Sequence, residues 1–214
     1  MAVKLKIDGL YKLNKNDIDK SAETLAKAFL DYPLFKYILG DNHSIENIRI
    51  LTKFIVRYSI LYGQAYATSS DIEGVVLFSD FEDYKFTLFR SLRSGGLSVV
   101  KIGREAGKRF NKYDEFNLKL HKENINEPHQ YLIGIGVDPQ KQGQAYGKKL
   151  LTTLLEVAEE KNHPCYLETH DKENVEIYRK YGFRLVSKVV IPGTNITQFN
   201  MLMEWIYMAH STES

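Results

Sequence analysis

The first part of the chain alternates between strand-like and helix-like spacing of its hydrophobic residues. Residues 11–15 (Tyr-Lys-Leu-Asn-Lys) are typical of a short first strand. Helical spacing follows, with apolar residues separated by four, three and four positions: Ile18, Ala22, Leu25 and Phe29. We expect Asn16 to cap this helix. Residues 31–33 (Asp-Tyr-Pro) should end it, because a residue that precedes proline is pushed out of the helical region.

Helical and strand patterns continue to residue 121. Residues 45–61 predict a second helix. Residues 64–70 and 71–79 are two short apolar runs around a Ser-Ser-Asp turn, and they predict a β-hairpin. Beyond Phe81 the spacing is again helical as far as His121, and the glycine pair Gly95-Gly96 interrupts it.

Residues 131–137 (Tyr-Leu-Ile-Gly-Ile-Gly-Val) are apolar on both faces and predict a strand inside a sheet. Gly134 and Gly136 weaken a strand, so they predict a bulge or the close approach of a ligand to the backbone. A polar turn at residues 142–147 then leads into a helix that reaches Asn162. Unpaired amides at the start of that helix, together with the helix dipole, predict an anion site, most simply for phosphate.

Composition and charge narrow the class of protein. The chain has 214 residues, of which 43% are hydrophobic and 26% charged, so it can bury a sizeable core. A formal net charge of +2 is too small to indicate a nucleic-acid surface. Cys165 is the single cysteine, residues 1–15 lack the apolar stretch of a secretion signal, and no apolar run is long enough to span a bilayer. We therefore expect a cytoplasmic protein with no nucleic-acid partner and no membrane partner.

The spacing of the polar turn excludes two common phosphate-binding motifs. A P-loop has four residues between its glycines, whereas three separate Gly143 from Gly147. A dinucleotide fingerprint needs a third glycine where Pro139 stands. The segment instead resembles motif A of the GNAT superfamily of acyl-CoA-dependent N-acetyltransferases. That resemblance is carried by Val137, Pro139, Gln142, Gly143, Ala145, Gly147, Leu150 and Leu151, with Ala145 in place of the commoner glycine.

A second block, residues 165–186, resembles motif B of the same superfamily. It comprises a strand at residues 165–169, a polar loop, a short helix from Asn174, then Tyr178 and the pair Gly182-Phe183. Two linked motifs at the expected separation are a stronger signal than either one alone. Together they cover residues 131–186, and the chain before them matches only in the order of its elements.

The resemblance implies an α+β GNAT fold, in which a central mixed β-sheet is splayed between the two motif strands and flanked by helices on both faces. It implies acetyl-CoA as cosubstrate and gives no reason to expect a metal. The backbone of Ile135, Gly136 and Val137 would pair with the pantetheine arm. Backbone amides would hold the pyrophosphate, with charge from Lys141, Lys148 and Lys149; these amides belong to Gln142, Gly143, Gln144, Ala145, Tyr146, Gly147 and Lys148. We expect a single domain over residues 1–214, with an acyl-CoA-binding core at about 128–205 and a helical insertion at about 81–124.

The resemblance also implies the catalytic groups. Tyr178 would be the general acid toward the CoA thiolate, and Asn174 would cap its helix or bond the cofactor. The general base is open: we predict Glu168, with His129, His170 and a water chain as alternatives. Tyr131 stands where histone-type relatives carry a glutamate.

The implied acceptor is a primary amine on a small molecule, with a weak preference for apolar surface. Its cleft would lie between the first two helices and the C-terminal strands. We expect Phe29 and Leu34 in the core, while Phe35, Tyr37, Tyr66 and Phe199 are candidate acceptor contacts. Two alternatives keep the same fold: a non-catalytic acyl-CoA sensor, and an acetyltransferase directed at proteins. The apolar edge of residues 197–205 is a hint of a homodimer.

Overall fold

A computed structural model describes residues 9–205 of the chain as a seven-stranded mixed sheet with helices on both faces. The strands are β1 (Tyr11–Lys12), β2 (Gln64–Ala67), β3 (Gly74–Asp80), β4 (Gln130–Val137), β5 (Cys165–Thr169), β6 (Arg184–Val190) and β7 (Thr197–Met203). Their order across the sheet is β1-β2-β3-β4-β5-β7-β6. The predicted fold class is confirmed, as is the hairpin of β2 and β3. Part of the segment examined for a secretion signal, residues 1–8, lies outside the described residues.

Eight α-helices accompany the sheet within residues 9–205: α1 (Ile18–Ala28), α2 (Pro33–Leu39), α3 (Ile45–Tyr62), α4 (Leu88–Arg93), α5 (Gly96–Val100), α6 (Arg104–Asn124), α7 (Tyr146–Glu160) and α8 (Lys172–Arg179). The break before Pro33 is confirmed, but proline then occupies the first position of α2, where its missing N–H costs no hydrogen bond. In the same part of the chain, no helix combines the length and the apolar character needed to cross a bilayer.

The predicted caps of α1 and α8 are wrong. Helix α1 follows Asp17, not Asn16, and the Asp17 carboxylate accepts from the backbone N–H of Asn14 instead of from the helix. Helix α8 begins two residues before Asn174. Its first turn is capped by Asp171, whose carboxylate accepts from the Glu173 amide at 2.9 Å.

The two central strands separate as predicted. β4 and β5 are parallel and pair only at their first residues, with Tyr131 opposite Tyr166 as the last pair. Beyond that point β4 pairs with β3 alone, and a register shift in this ladder leaves Ile133 without an opposite residue. This irregularity is the predicted bulge, and it lies next to Gly134.

Ordinary packing explains the other glycine of β4. A Cβ atom at Gly136 would lie 2.9 Å from side-chain atoms of both Leu25 and Ala28. Helix α1 therefore lies directly against this strand, and Gly136 is required by that helix whether or not a ligand binds. At Gly134 an added Cβ would meet no atom within 4 Å.

Apolar layers lie on both sides of the sheet. Helix α7 packs on one face through Leu150, Leu151 and Leu154, and α1 and α3 cover the other face. Strand β7 lies between β5 and β6, so it has no free edge in this fold. The prediction of a homodimer rested on a free edge of this strand, and that premise is wrong.

Candidate active site

A cavity of about 150 Å³ opens where β4 and β5 separate. Its walls come from α1, α3 and α6 and from the diverging strands, and most of its lining is apolar. Nine aromatic residues line it: Phe29, Tyr32, Phe35, Tyr84, Phe86, Phe110, Tyr113, Tyr131 and Tyr178. The polar lining includes Asn117, Glu168, His170 and Asn174. An apolar pocket with a few convergent polar groups is the usual form of a small-molecule site.

Glu168 is the one carboxylate in the lining of this cavity. Its Oε1 accepts a short hydrogen bond from the Tyr131 hydroxyl and a second bond, of 2.8 Å, from Asn117 Nδ2. Its Oε2 is buried and has no hydrogen-bond partner among residues 9–205. Burial raises the pKa of Glu168 to about 7, although both hydrogen bonds oppose the rise. The side chain is thus able to exchange a proton near neutral pH, through an oxygen that lacks a donor.

A network of side-chain amides holds Asn117 in the orientation that its hydrogen bond to Glu168 requires. Gln198 Nε2 donates to Asn117 Oδ1 at 2.8 Å and to Asn200 Oδ1 at 2.9 Å. The Asn117 oxygen is therefore occupied, and its Nδ2 faces Glu168. Because Gln198 uses its nitrogen in these two bonds, its Oε1 must be the acceptor in the 3.2 Å contact with His170 Nε2.

The same contact fixes the tautomer of His170. Its Nε2 carries the hydrogen, so its Nδ1 is free to accept from the Tyr32 hydroxyl, 3.3 Å away. Burial lowers the pKa of His170 to about 4. Neutral and occupied at both nitrogens, this imidazole is a poorer base than Glu168.

His129 lies outside the cavity lining. Its Nδ1 contacts the backbone oxygen of Glu127 at 2.6 Å, and its Nε2 lies 2.7 Å from Nε2 of His121. Phe81 stacks on both rings, and burial lowers the pKa of His129. Of the three predicted base candidates, the structure therefore brings Glu168 and His170 to the cavity.

Tyr178 projects from α8 into the cavity lining and makes an edge contact with the Phe183 ring at 5.7 Å. Its hydroxyl bonds no other residue in the described part of the chain. Burial raises the pKa of Tyr178, so the hydroxyl keeps its proton at neutral pH. Asn174, one turn earlier, donates to Thr169 Oγ1 at 3.3 Å and also lines the cavity.

The polar turn before α7 has a backbone suited to an anion. Gly143 (φ 81°) and Ala145 (φ 60°) are both left-handed, a conformation that turns successive N–H groups toward one side. A Cβ at Gly143 would meet nothing within 4 Å, and one at Gly147 would meet only Val137, at 3.9 Å. Gln142, Gln144 and Lys148 are exposed around this concavity, and Tyr146 begins the helix.

Two further predictions about this region have different outcomes. Ile135, Gly136 and Val137 follow the last β4–β5 pair, so their β5-facing edge has no strand partner within residues 9–205. Lys149, one of three lysines expected near the anion, instead donates to the backbone oxygen of Thr68 at 3.0 Å.

The predicted acceptor contacts are partly wrong. Phe35 lines the cavity; Phe29 and Leu34 pack on the apolar core as expected and also line the cavity. Tyr66 and Phe199 are instead buried in the apolar layer under α7, and Tyr37, a residue of α2, packs on a separate apolar cluster outside the lining. Sequence analysis missed Asn117 and Tyr32. Phe110, Tyr113 and Asn117 are separated by three and four positions, so helical spacing in the sequence does place Asn117 on the same face as two residues of the cavity wall.

Comparisons with known proteins agree on one family. The profile of the acetyltransferase (GNAT) family matches residues 107–183. An uncharacterised N-acetyltransferase of Schizosaccharomyces pombe is 27% identical over 194 residues, which cover 86% of this chain and 77% of that protein.

Solved structures share the fold at low identity. One is described as histone acetyltransferase HPA2 and related acetyltransferase, from Corynebacterium glutamicum; it is 16% identical, with a TM-score of 0.62 over 94% of this chain and 97% of that one. Arylalkylamine N-acetyltransferase 2 of Aedes aegypti is 18% identical, with a TM-score of 0.62 over 91% and 97%. The motif segment, the separated strands and these matches together support the GNAT superfamily of acetyltransferases as the family of this chain.

Proposed function

We propose that this protein transfers the acetyl group of acetyl-CoA to the primary amine of a small molecule that carries an aromatic or similar apolar group. The observation that carries the proposal is the buried, unpartnered Oε2 of Glu168 inside an aromatic cavity. An ammonium group offers that oxygen a donor, and aromatic faces attract a cation. A similar fold in an arylalkylamine N-acetyltransferase supports this class of acceptor.

The cosubstrate would lie in the gap between β4 and β5. The free edge of Ile135, Gly136 and Val137 offers backbone groups to the amides of the pantetheine arm, as an added strand would. The backbone amides of residues 142–148 offer donors to the pyrophosphate. The open space at Gly143 and Gly147 fits a group that approaches the backbone closely. Asn174 and Tyr178, on the other side of the gap, complete the proposed set.

Acetyl-CoA supplies the acetyl group as a reactive thioester. An amine attacks only in its neutral form, so the ammonium must first lose a proton, and Glu168 Oε2 accepts it. The new N–C bond then replaces the C–S bond. Tyr178 donates its hydroxyl proton to the sulfur, and the second proton of the amine nitrogen restores the tyrosine. Glu168 suits the first step because its pKa of about 7 lets it be ionised at neutral pH and still accept a proton.

We further propose that residues 1–214 act as one domain in the cytoplasm, with the acyl-CoA core at about 128–205 and the insertion at about 81–124 supplying a cavity wall. The test is thiol release from acetyl-CoA with a panel of 2-phenylethylamine, tryptamine, spermidine, an aminoglycoside and a lysine peptide. We expect the arylalkylamines to be preferred. Binding of acetyl-CoA by calorimetry without thiol release from any amine would support the alternative of a sensor.

A further inference from the structure

Helices α4 and α5 present apolar side chains to solvent, although they pack on α3. In α4, Ser91 is partly covered and Ser94, just after the helix, is buried, whereas Leu88, Phe89 and Leu92 are exposed. The amphipathic pattern of this helix is therefore inverted. Helix α5 likewise exposes the apolar side chains of Leu97 and Val100. Four of these five side chains are between 67% and 79% exposed, and the five make up more than half of the nine large exposed hydrophobic residues in the described chain.

Charge is concentrated in the same segment. Residues 84–104 contain five cations (Lys85, Arg90, Arg93, Lys101 and Arg104) and no carboxylate. The whole chain has 29 Lys and Arg against 27 Asp and Glu, so 24 against 27 remain outside this segment and the rest of the chain is net acidic. Arg90 is held inward, donating to the Asp83 backbone oxygen and lying over the Tyr62 ring. The other four cations are exposed and form no ion pair with another residue in the range 9–205.

We propose that α4 and α5 form a docking surface for an anionic phospholipid membrane. We call it the basic apolar patch and define it as Leu88, Phe89, Leu92, Leu97 and Val100 with Lys85, Arg93, Lys101 and Arg104. Apolar side chains on short surface helices insert at the boundary between headgroups and acyl chains, and nearby cations attract the anionic headgroups. The patch supplies both the apolar side chains that insert and the cations that attract the headgroups. The expectation of no membrane partner, which rested on the lack of a spanning segment, is revised by this proposal.

The charge of the patch disfavours two other occupants. In a symmetric dimer each copy would place its cations against those of the other, because a two-fold interface is formed from the same surface twice. Nucleic acid would use the cations, but it gains from stacking on aromatic rings and not from aliphatic side chains. Leu88, Leu92, Leu97 and Val100 would then be left without a partner. A lipid surface accommodates both kinds of side chain.

The test is cosedimentation of the full chain with phosphatidylcholine vesicles that contain or lack phosphatidylserine. We expect binding to the anionic vesicles alone, weakened by salt. Binding should fall by roughly tenfold or more in Phe89→Ser/Leu92→Ser and likewise in Arg93→Glu/Lys101→Glu. Two matched controls should bind as wild type: Val190→Ser, an exposed apolar residue of β6, and Lys15→Glu, an exposed cation elsewhere.

Several results would overturn the proposal. One is the absence of binding to anionic vesicles, and another is unchanged binding in either double variant. Binding lost in the glutamate variant but retained in the serine variant would indicate attraction to any polyanion. A dimer seen by sedimentation velocity and dissociated by Phe89→Ser/Leu92→Ser, without vesicle binding, would assign the patch to a second copy of the chain. Circular dichroism of each variant checks that these exposed substitutions leave the fold intact.

Discussion

The hydroxyl of Tyr131 donates a hydrogen bond to Glu168 across the point where β4 and β5 separate. Tyr131 is the last residue of β4 that pairs with β5, and Glu168 lies two residues beyond its partner Tyr166. The side chains thus join the strands where backbone pairing ends. This bond holds the carboxylate at the mouth of the gap that the cosubstrate is proposed to enter.

Tyr131→Phe should raise the pKa of Glu168 above its value of about 7, because the lost bond stabilises the charged form. Hydrogen bonds to charged groups contribute about 1.5–3 kcal/mol, so we expect the rising part of the pH–rate profile to move up by about one to two pH units. The measurement is kcat/KM for the best amine as a function of pH. Tyr166→Phe is the control, since that hydroxyl donates to Asn200 and makes no bond to Glu168. Equal shifts in both variants would contradict the role of Tyr131.

Tyr178→Phe should lower kcat by about 10²-fold or more, within the range for loss of a general acid, and leave acetyl-CoA affinity nearly unchanged. The phenyl ring keeps the packing against Phe183 and removes only the proton donor. Calorimetry and steady-state thiol release measure the two quantities. Tyr181→Phe is a matched control, because this neighbouring tyrosine packs on the core and does not line the cavity. Full activity in Tyr178→Phe would remove the tyrosine from the mechanism.

Gly147→Trp should abolish acetyl-CoA binding and change thermal stability little. A side chain at this position meets only Val137 in the protein, at 3.9 Å, so the indole would occupy the space assigned to the pyrophosphate. Calorimetry and thermal unfolding measure both effects. Gly107→Trp places the same bulk in the first turn of α6, where an added Cβ also meets nothing within 4 Å. Wild-type affinity in Gly147→Trp would place the cosubstrate elsewhere.

Glu168 should make the protein less stable as pH rises. Its pKa is raised from 4.5 to about 7 in the folded state, so its contribution to stability is fully present below pH 4.5 and is lost as pH rises to 7. The linked change in the free energy of unfolding is at most about 3 kcal/mol. Glu168→Gln lacks this loss, so its stability relative to wild type should increase between pH 5 and pH 8. Denaturant unfolding of both proteins at the two pH values measures the difference; a constant difference would show that the carboxyl is not perturbed.

The motif segment was predictable because its signals are local. The continuous apolar run of residues 131–137, the glycines of the turn and the leucines of α7 lie within about thirty residues, and they correctly indicated a strand, a turn and a helix. The predicted caps were wrong because asparagine and aspartate cap helices equally well, so residue type does not choose between neighbouring candidates. Only the path of the backbone places Asp17 before α1 and Asp171 before α8.

The cavity depends on contacts that no local pattern contains. Tyr32 and His170 are 138 residues apart, and Gln198 and Asn117 are 81 residues apart. Phe29 and Leu34 pack on the core as predicted, but their place in the cavity wall could not be predicted, because cavity walls and cores use the same apolar side chains. Glu168, by contrast, could be nominated from its place on the motif strand, and the structure then distinguished it from His129 and His170 by their partners.

The most direct test of the central claim is thiol release from acetyl-CoA with 2-phenylethylamine, followed from pH 5.5 to pH 9 in wild type and in Glu168→Gln. The account predicts one equivalent of N-acetylated amine for each thiol released. It also predicts that the wild-type rate rises with pH through about pH 7. In Glu168→Gln the rate should be lowered by about 10²-fold or more, and this rise through pH 7 should be lost. No thiol release with any amine of the panel, or an unchanged rise in Glu168→Gln, would contradict it.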